Sequence, residues 1–381
     1  MAFLRNRAVN WINLHSGIRA LAQGMGGIFM LVFLLRAGVS VPATLCAMAA
    51  IFAVRFAIRP AVLVFATRLG LKPLVIGGNL VTALQYPLLA RVSGVDRSLA
   101  LFCLVSALGE TFYWTAYHSY FALLGDSEHR GQQISANVAL SAVLGTAAPL
   151  VGAWALLVLG ARPAFGAVGL VQALSVVPLL ATPNVSVPRS ATGALRSALP
   201  GVGLFMADGW FAVSWELEWQ IALFLSLGES LSAYGGAMAL AAGVGAVSGL
   251  LLGRHIDTGH GRRAVGVTFT AVSLALLLRA YSVGAPWLAV GANAIGALVS
   301  CLLGPTQMVP VYNLAKASPC ALRFHVAAEG GWDVGCATGS LLAALLIARG
   351  ASLGAVIPLA FLGIAAQVLL LRRTYAQLGG W

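Results

Sequence analysis

Ionisable side chains standing inside apolar runs carry the chemistry of this sequence. Arg55 and Arg59 lie in RFAIRPAVLVFATRLGLK, spaced i, i+4 on one helix face. An arginine at the centre of a membrane helix costs about 2.5–3.5 kcal/mol, so the pair must face a counter-charge, a protein interior or a water-filled cavity. Arg55 sits about fourteen residues into its span, roughly 20 Å deep at 1.5 Å per residue, which makes snorkelling difficult. Pro60 beside Arg59 predicts a kink whose freed carbonyls an arginine can satisfy. Glu329 and Asp333 repeat the i, i+4 spacing. Two like charges so close do not both ionise comfortably alone, so the pair reads as a proton acceptor, as an interdomain gate closing on Arg59, or as both. Glu110 opens the run ETFYWTAYH, with Tyr113, Trp114 and Tyr117 at helical spacing. Its two readings are a proton carrier and a static partner for Arg19 or Arg55.

Arg19 and Gln23 share a face near the start of the chain, where Arg19 either lines a polar pathway or snorkels to the interface. In DGWFAVSWELEWQ, Glu216 and Glu218 are about 200° apart on an α-helix, so one carboxylate at most enters a given cavity. Glu216, Trp219 and Gln220 are assigned to the cavity. Gln307, Asn313 and Asn137 are further polar candidates, and His118 reads as helix-end structure. Substrate contact is thus expected at Arg19, Arg55, Arg59, Tyr113, Tyr117, Glu216, Trp219, Gln220 and Gln307. Proton coupling is expected at Glu110, Glu329 and Asp333.

The elements that position these groups are long apolar helices. The chain has 381 residues, 60% hydrophobic and 9% charged, with mean hydropathy +0.90, against about 45–50% apolar in soluble proteins. Apolar segments of about 20 residues, each enough to cross about 30 Å of hydrocarbon, recur at 14–35, 41–67, 73–91, 98–124, 134–158, 163–182, 201–226, 231–253, 264–283, 287–314, 324–347 and 352–371. The expected fold is an all-α polytopic membrane protein of twelve transmembrane helices. A Pro-, Ser- and Thr-rich stretch before Pro200 reads as a cytoplasmic linker (186–200) between a six-helix bundle over 1–185 and a second over 201–381. With the N-terminus inside, 14 of the 23 Lys and Arg fall in inside segments, 6 in external loops and 3 within helices. Both termini are therefore expected in the cytoplasm. The net charge of +12 follows from that bias and no longer points to nucleic acid. Arg-rich, Ala- and Gly-rich composition suits a GC-rich bacterial genome and hence the inner membrane. The first residues show no cleavable signal pattern. Five cysteines without metal-type spacing, and no Walker motif or catalytic triad, predict neither metal nor cofactor nor enzyme activity.

The two halves echo one another. Arg68-Leu-Gly-Leu-Lys72 follows span two, and Gly253-Arg-His-Ile-Asp257-Thr-Gly-His-Gly-Arg262-Arg263 follows span eight. Thr111 and Tyr117 follow Gly109 at the offsets at which Thr306 and Tyr312 follow Gly304. On these residues the sequence resembles the major facilitator superfamily along essentially its whole length. The family's loop motif is approximated at Gly253, Asp257, Gly261, Arg262 and Arg263, with one extra residue after the aspartate. In the first half Gly70 and Lys72 match, and Ala66 stands where that motif carries an acid. Gly145, Pro149 and Gly152 are similar to the family's antiporter pattern. The resemblance implies two pseudo-symmetric six-helix bundles around a central cavity that opens alternately to each side, with Gly70, Lys72, Asp257, Arg262 and Arg263 as gating-loop residues.

The expected function is proton-coupled secondary transport of a small organic solute, amphipathic or anionic, with export the leading direction. Uptake of an organic anion by symport, or uniport, is the alternative. The rival class is a non-transporting sensor or scaffold; a membrane enzyme lacks a nucleophile or metal cluster to support it. The expected partners are the solute, protons and the lipid bilayer, with the chain a monomer.

Overall fold

The computed structural model describes residues 6–125, 133, 140, 145–252 and 261–377. Among them there is no strand. The helices, in chain order, are α1 (Arg7–Arg36, with a 3-10 turn at Gly27–Phe29), α2 (Val41–Leu69), α3 (Leu71–Leu89), α4 (Arg97–Leu124), α5 (Ala148–Val158) and α6 (Ala161–Ala181). The second set begins with α7, in which a π turn at Val213–Glu218 joins Leu199–Ala212 to Trp219–Ser226. It continues with α8 (Leu231–Leu252), α9 (Gly261–Ser282), α10 (Pro286–Ala317), α11 (Ala321–Ala348) and α12 (Leu353–Ala376). Nine helices among the described residues are long and apolar enough to cross a membrane. Of the others, α3 carries Lys72, Asn79 and Gln85, α5 is described over eleven residues, and α7 is divided by its π turn.

Local chemistry sets the helix ends. The Ser40 hydroxyl accepts the amide of Ala43 at 3.4 Å to start α2. Gly70, at φ 84°, ends α2 and turns the chain straight into α3, a conformation an L side chain rarely adopts. Asp96 caps α4 by accepting the amide of Leu99 at 3.0 Å. That amide, with the Ser93 hydroxyl, holds the exposed Asp96 carboxyl below the usual carboxylate range.

The first six helices meet the second six where α2 packs on α11 and where α5 packs on α8. Within the second half, α7 and α11 approach backbone to backbone. A Cβ built on Gly335 falls 2.2 Å from the Met206 carbonyl oxygen, and one on Gly209 falls 2.3 Å from that of Trp332. Small residues at such crossings supply the packing that lipid cannot drive. Gly335→Val is therefore expected to yield no monodisperse folded protein in detergent gel filtration, whereas Gly77→Val, with nothing within 4 Å, elutes as wild type.

The linker and the two residues just before it are held on both sides. The Leu71 amide donates to Val185 O at 2.9 Å, and the Asn184 amide donates to Leu69 O at 2.8 Å. On the other side Arg323 of α11 donates to Pro188 O at 2.9 Å and to Arg189 O at 2.7 Å. Its composition suits a coil, but backbone carbonyls in a coil still accept donors from the helix ends they pass.

Candidate functional site

The four charges of α2 and α11 come together at the boundary between the halves. Arg59 donates through Nη1 to Glu329 Oε2 at 3.1 Å and through Nε to Asp333 Oδ2 at 3.0 Å, with Nη2 also on Asp333. Its Nη1 also donates to Thr115 Oγ1 of α4 at 2.6 Å. Arg55 Nε lies 3.0 Å from Asp333 Oδ1. All four side chains are nearly inaccessible, from 0% for Asp333 to 7% for Arg55. Two guanidinium groups thus face two carboxylates, and the buried cluster is charge-balanced if all four are ionised. Arg59 uses its donors on side chains of other helices and not on carbonyls freed by Pro60, as the sequence had suggested.

Counting along the helices, the cluster lies roughly 12–21 Å inside the helix ends at Leu69 and Ala321. His118 extends it. Its Nε2 is 3.7 Å from Glu329 Oε1, and its Nδ1 is 2.6 Å from the Tyr312 hydroxyl of α10. His325 is fully buried and stacks on His118 at 5.7 Å between ring centroids. Neither of its ring nitrogens has a hydrogen bond among the described residues. His118, read from sequence as helix-end structure, therefore belongs to the cluster.

Beside the cluster is a cavity of about 600 Å³. Arg19, Gln23, Arg55, Glu110, Tyr113, Trp114, Tyr117 and His118 line it from the first half, and Met308 and Tyr312 from α10. Arg19 Nη2 donates to Glu110 at 3.0 and 3.3 Å. The same guanidinium lies 4.1 Å from the Tyr113 ring centre and 4.5 Å from that of Trp114, so ring faces hold it as well. Arg19 is thus held at the cavity wall and does not snorkel. Tyr113 is fixed from behind by His15, whose Nδ1 sits 2.7 Å from Ser175 O and whose Nε2 sits 2.9 Å from the Tyr113 hydroxyl. A carbonyl only accepts, so Nδ1 carries a proton, and in the neutral ring Nε2 accepts from the phenol.

Other candidates lie elsewhere. Arg59, Glu329 and Asp333 are sealed in the cluster and do not line the cavity; Arg55 belongs to both. Glu216 is exposed on the π turn of α7 and is not among the cavity residues. Trp219 is buried and donates to Asn293 Oδ1 at 2.9 Å, and Gln220 is half-buried away from the cavity. Gln307 donates to Asp208 Oδ1 at 2.9 Å and to Gln367, a polar knot between α7, α10 and α12. For the residues of α7 the π turn breaks the count, because six residues wound at a wider pitch depart from the angles that α-helical spacing assumes. Of the gating-loop residues, Gly70 makes the α2 to α3 turn, and Lys72 Nζ donates to Leu180 O and Thr182 O, each at 2.8 Å. Arg263 is exposed in the first turn of α9. Asp257, Asn137 and the Arg262 side chain lie outside the described residues.

Sequence reasoning passed over Arg279. It is 4% exposed, donates to Trp215 O at 2.8 Å and lies over the Trp215 and Trp219 rings at 3.8 and 5.0 Å. Trp215 is part of the π turn, so this arginine pins the one irregular stretch of α7. Its nearness to a helix end in the sequence disguised its burial.

These features define a class: a helical membrane bundle that encloses a polar, aromatic-lined cavity with a buried ionic contact between α2 and α11 beside it. No family model and no curated protein matches the sequence. Solved structures do. The human organic anion transporter MFSD10 (TETRAN) superposes with a TM-score of 0.70 at 15% identity, over 96% of this chain and 99% of that one. FucP, a major facilitator superfamily transporter in its outward conformation, superposes at 0.69 and 12% identity, over 96% and 98%. The chain has the major facilitator fold.

Proposed function

We propose that this protein is a secondary transporter that moves a small amphipathic organic anion together with a proton by alternating access. The observation that carries the reading is Arg55, which lines the cavity and also contacts Asp333 in the buried cluster between the halves. A solute carboxylate or phosphate reaching Arg55 adds a negative charge to a cluster already balanced. Burying an uncompensated charge costs several kcal/mol, so the anion is accommodated when Asp333 takes up a proton. The neutral Asp333 then releases α2 from α11, and opening at that face becomes favourable. Tyr113, Trp114, Tyr117 and Met308 receive the apolar part of the solute. The organic anion specificity named for MFSD10 supports this solute class.

Anion and proton move in the same direction in this scheme, which is the uptake alternative and not the export that leads on sequence alone. Sealed proteoliposomes with a trapped pH dye test it against a panel of organic anions. Adding the cognate anion outside is expected to acidify the lumen, and lowering the external pH to raise the uptake rate. Luminal alkalinisation on uptake identifies exchange, and binding without any movement identifies a sensor; either result overturns the scheme.

A further inference from the structure

Away from the cavity, a cleft of about 530 Å³ opens where α9 and α12 meet, at the start of α9 and the end of α12. Arg263 of α9 and Arg372 and Arg373 of α12 line it, with Leu369 and Ala376. All three arginines are exposed, and none has a hydrogen bond or ion pair with a described residue. The first turn of α9 carries no acid. Three guanidinium groups around one concavity leave many N–H donors directed at a single space, and planar forks of this kind match phosphate oxygens.

A second observation says what brings the phosphate. Leu362, Leu369 and Ala376 recur at seven-residue spacing on one face of α12, and Leu362 and Leu369 are 63% and 61% exposed. The apolar stripe runs along a helix long and apolar enough to cross a membrane and ends in the basic cleft. We infer that this cleft binds the phosphodiester headgroup of an anionic glycerophospholipid, one acyl chain lying along the Leu362 and Leu369 stripe. A soluble phosphate has no use for that stripe. Basic pockets between helices at a membrane boundary are suited to such headgroups. The bound lipid bridges α9 and α12 and so favours conformations in which those two helix ends stay together.

The test titrates fluorescent phosphatidylglycerol, or the matched phosphatidylcholine, into the full-length protein in a neutral detergent. Wild type is expected to prefer phosphatidylglycerol. The double variant Arg372→Gln/Arg373→Gln is expected to weaken that binding roughly 25-fold, about fivefold for each charge. Arg372→Lys/Arg373→Lys keeps the charge and retains most of the affinity. Arg91→Gln/Arg97→Gln, exposed at the opposite face, leaves it unchanged. Equal binding of the two lipids, or equal loss in the Arg91 and Arg97 variant, overturns the assignment. Displacement of the lipid by inorganic phosphate, with no effect of acyl-chain length, identifies a site for a soluble phosphoryl anion and overturns it as well.

Discussion

Asp333→Asn is expected to abolish coupled transport and to leave the face at the end of α2 and the start of α11 persistently open. The argument is one of charge. Asp333 is fully buried and contacts both Arg55 and Arg59, so the amide leaves two guanidinium groups facing Glu329 alone. Removing one partner of a buried ionic contact costs about 3–5 kcal/mol, because the remaining charge is stranded in a dry site. The rest of α2 and α11 keeps its packing, so the cost falls on the closed conformation more than on the helices. Cys320 reports the change. It is 6% exposed at the N-cap of α11, and opening of that face admits a maleimide to it. Labelling of Cys320, followed by peptide mapping, is expected to rise in Asp333→Asn, and anion binding is expected to lose its dependence on pH. Asp333→Glu restores the charge and, in part, both readouts. Wild-type labelling together with an unchanged pH profile in the asparagine variant removes Asp333 from the gate and from proton coupling.

Arg55→Ala separates the cavity from the gate. Arg59 keeps its contacts with Glu329, Asp333 and Thr115, so the interface between the halves persists without Arg55. What disappears is the guanidinium that both faces the cavity and touches the cluster. Truncating one partner of a buried charge pair costs about 2–5 kcal/mol, which predicts a loss of affinity for the cognate anion of roughly 30-fold or more. A neutral ester of the same solute lacks that interaction and is expected to bind wild type and variant alike. Arg55→Lys recovers part of the affinity, since an ammonium supplies the charge without the bidentate fork. Isothermal titration of anion and ester into both proteins checks this. Equal affinity of wild type and Arg55→Ala for the anion places the solute elsewhere in the cavity, with Arg19 the other arginine on its wall among the described residues.

Both expectations turn on pairings that no local pattern in the chain discloses. Arg59 and Asp333 are 274 positions apart, and Arg19 and Glu110 are 91 apart. Each was visible as a costly charge in an apolar run, and each i, i+4 pair was visible as a face. The partner was not, because helical spacing fixes a side chain's angle about its own axis and leaves open which neighbour that angle meets. Arg59 was open to Glu329, Asp333 or the carbonyls near Pro60, and Glu110 to Arg19 or Arg55. Packing chose among them: close backbone approaches such as Gly335 on Met206 set the spacing of helices, and thereby which charges come within 4 Å.

The sequence by itself determined that this chain is a set of apolar helices with too few charges to cover a soluble protein's surface, and that its buried arginines and carboxylates need partners. Composition and periodicity suffice there, because hydrocarbon penalises every unpaired charge and exposed amide regardless of which helices are neighbours. Tertiary structure alone decided that Arg55 joins cavity to cluster, that His118 sits beside Glu329, and that Arg279 pins a π turn which takes Trp219 into a packed wall and leaves Glu216 off the cavity. Those are properties of helix azimuth and pitch, and azimuth is settled by contacts between segments distant in the chain.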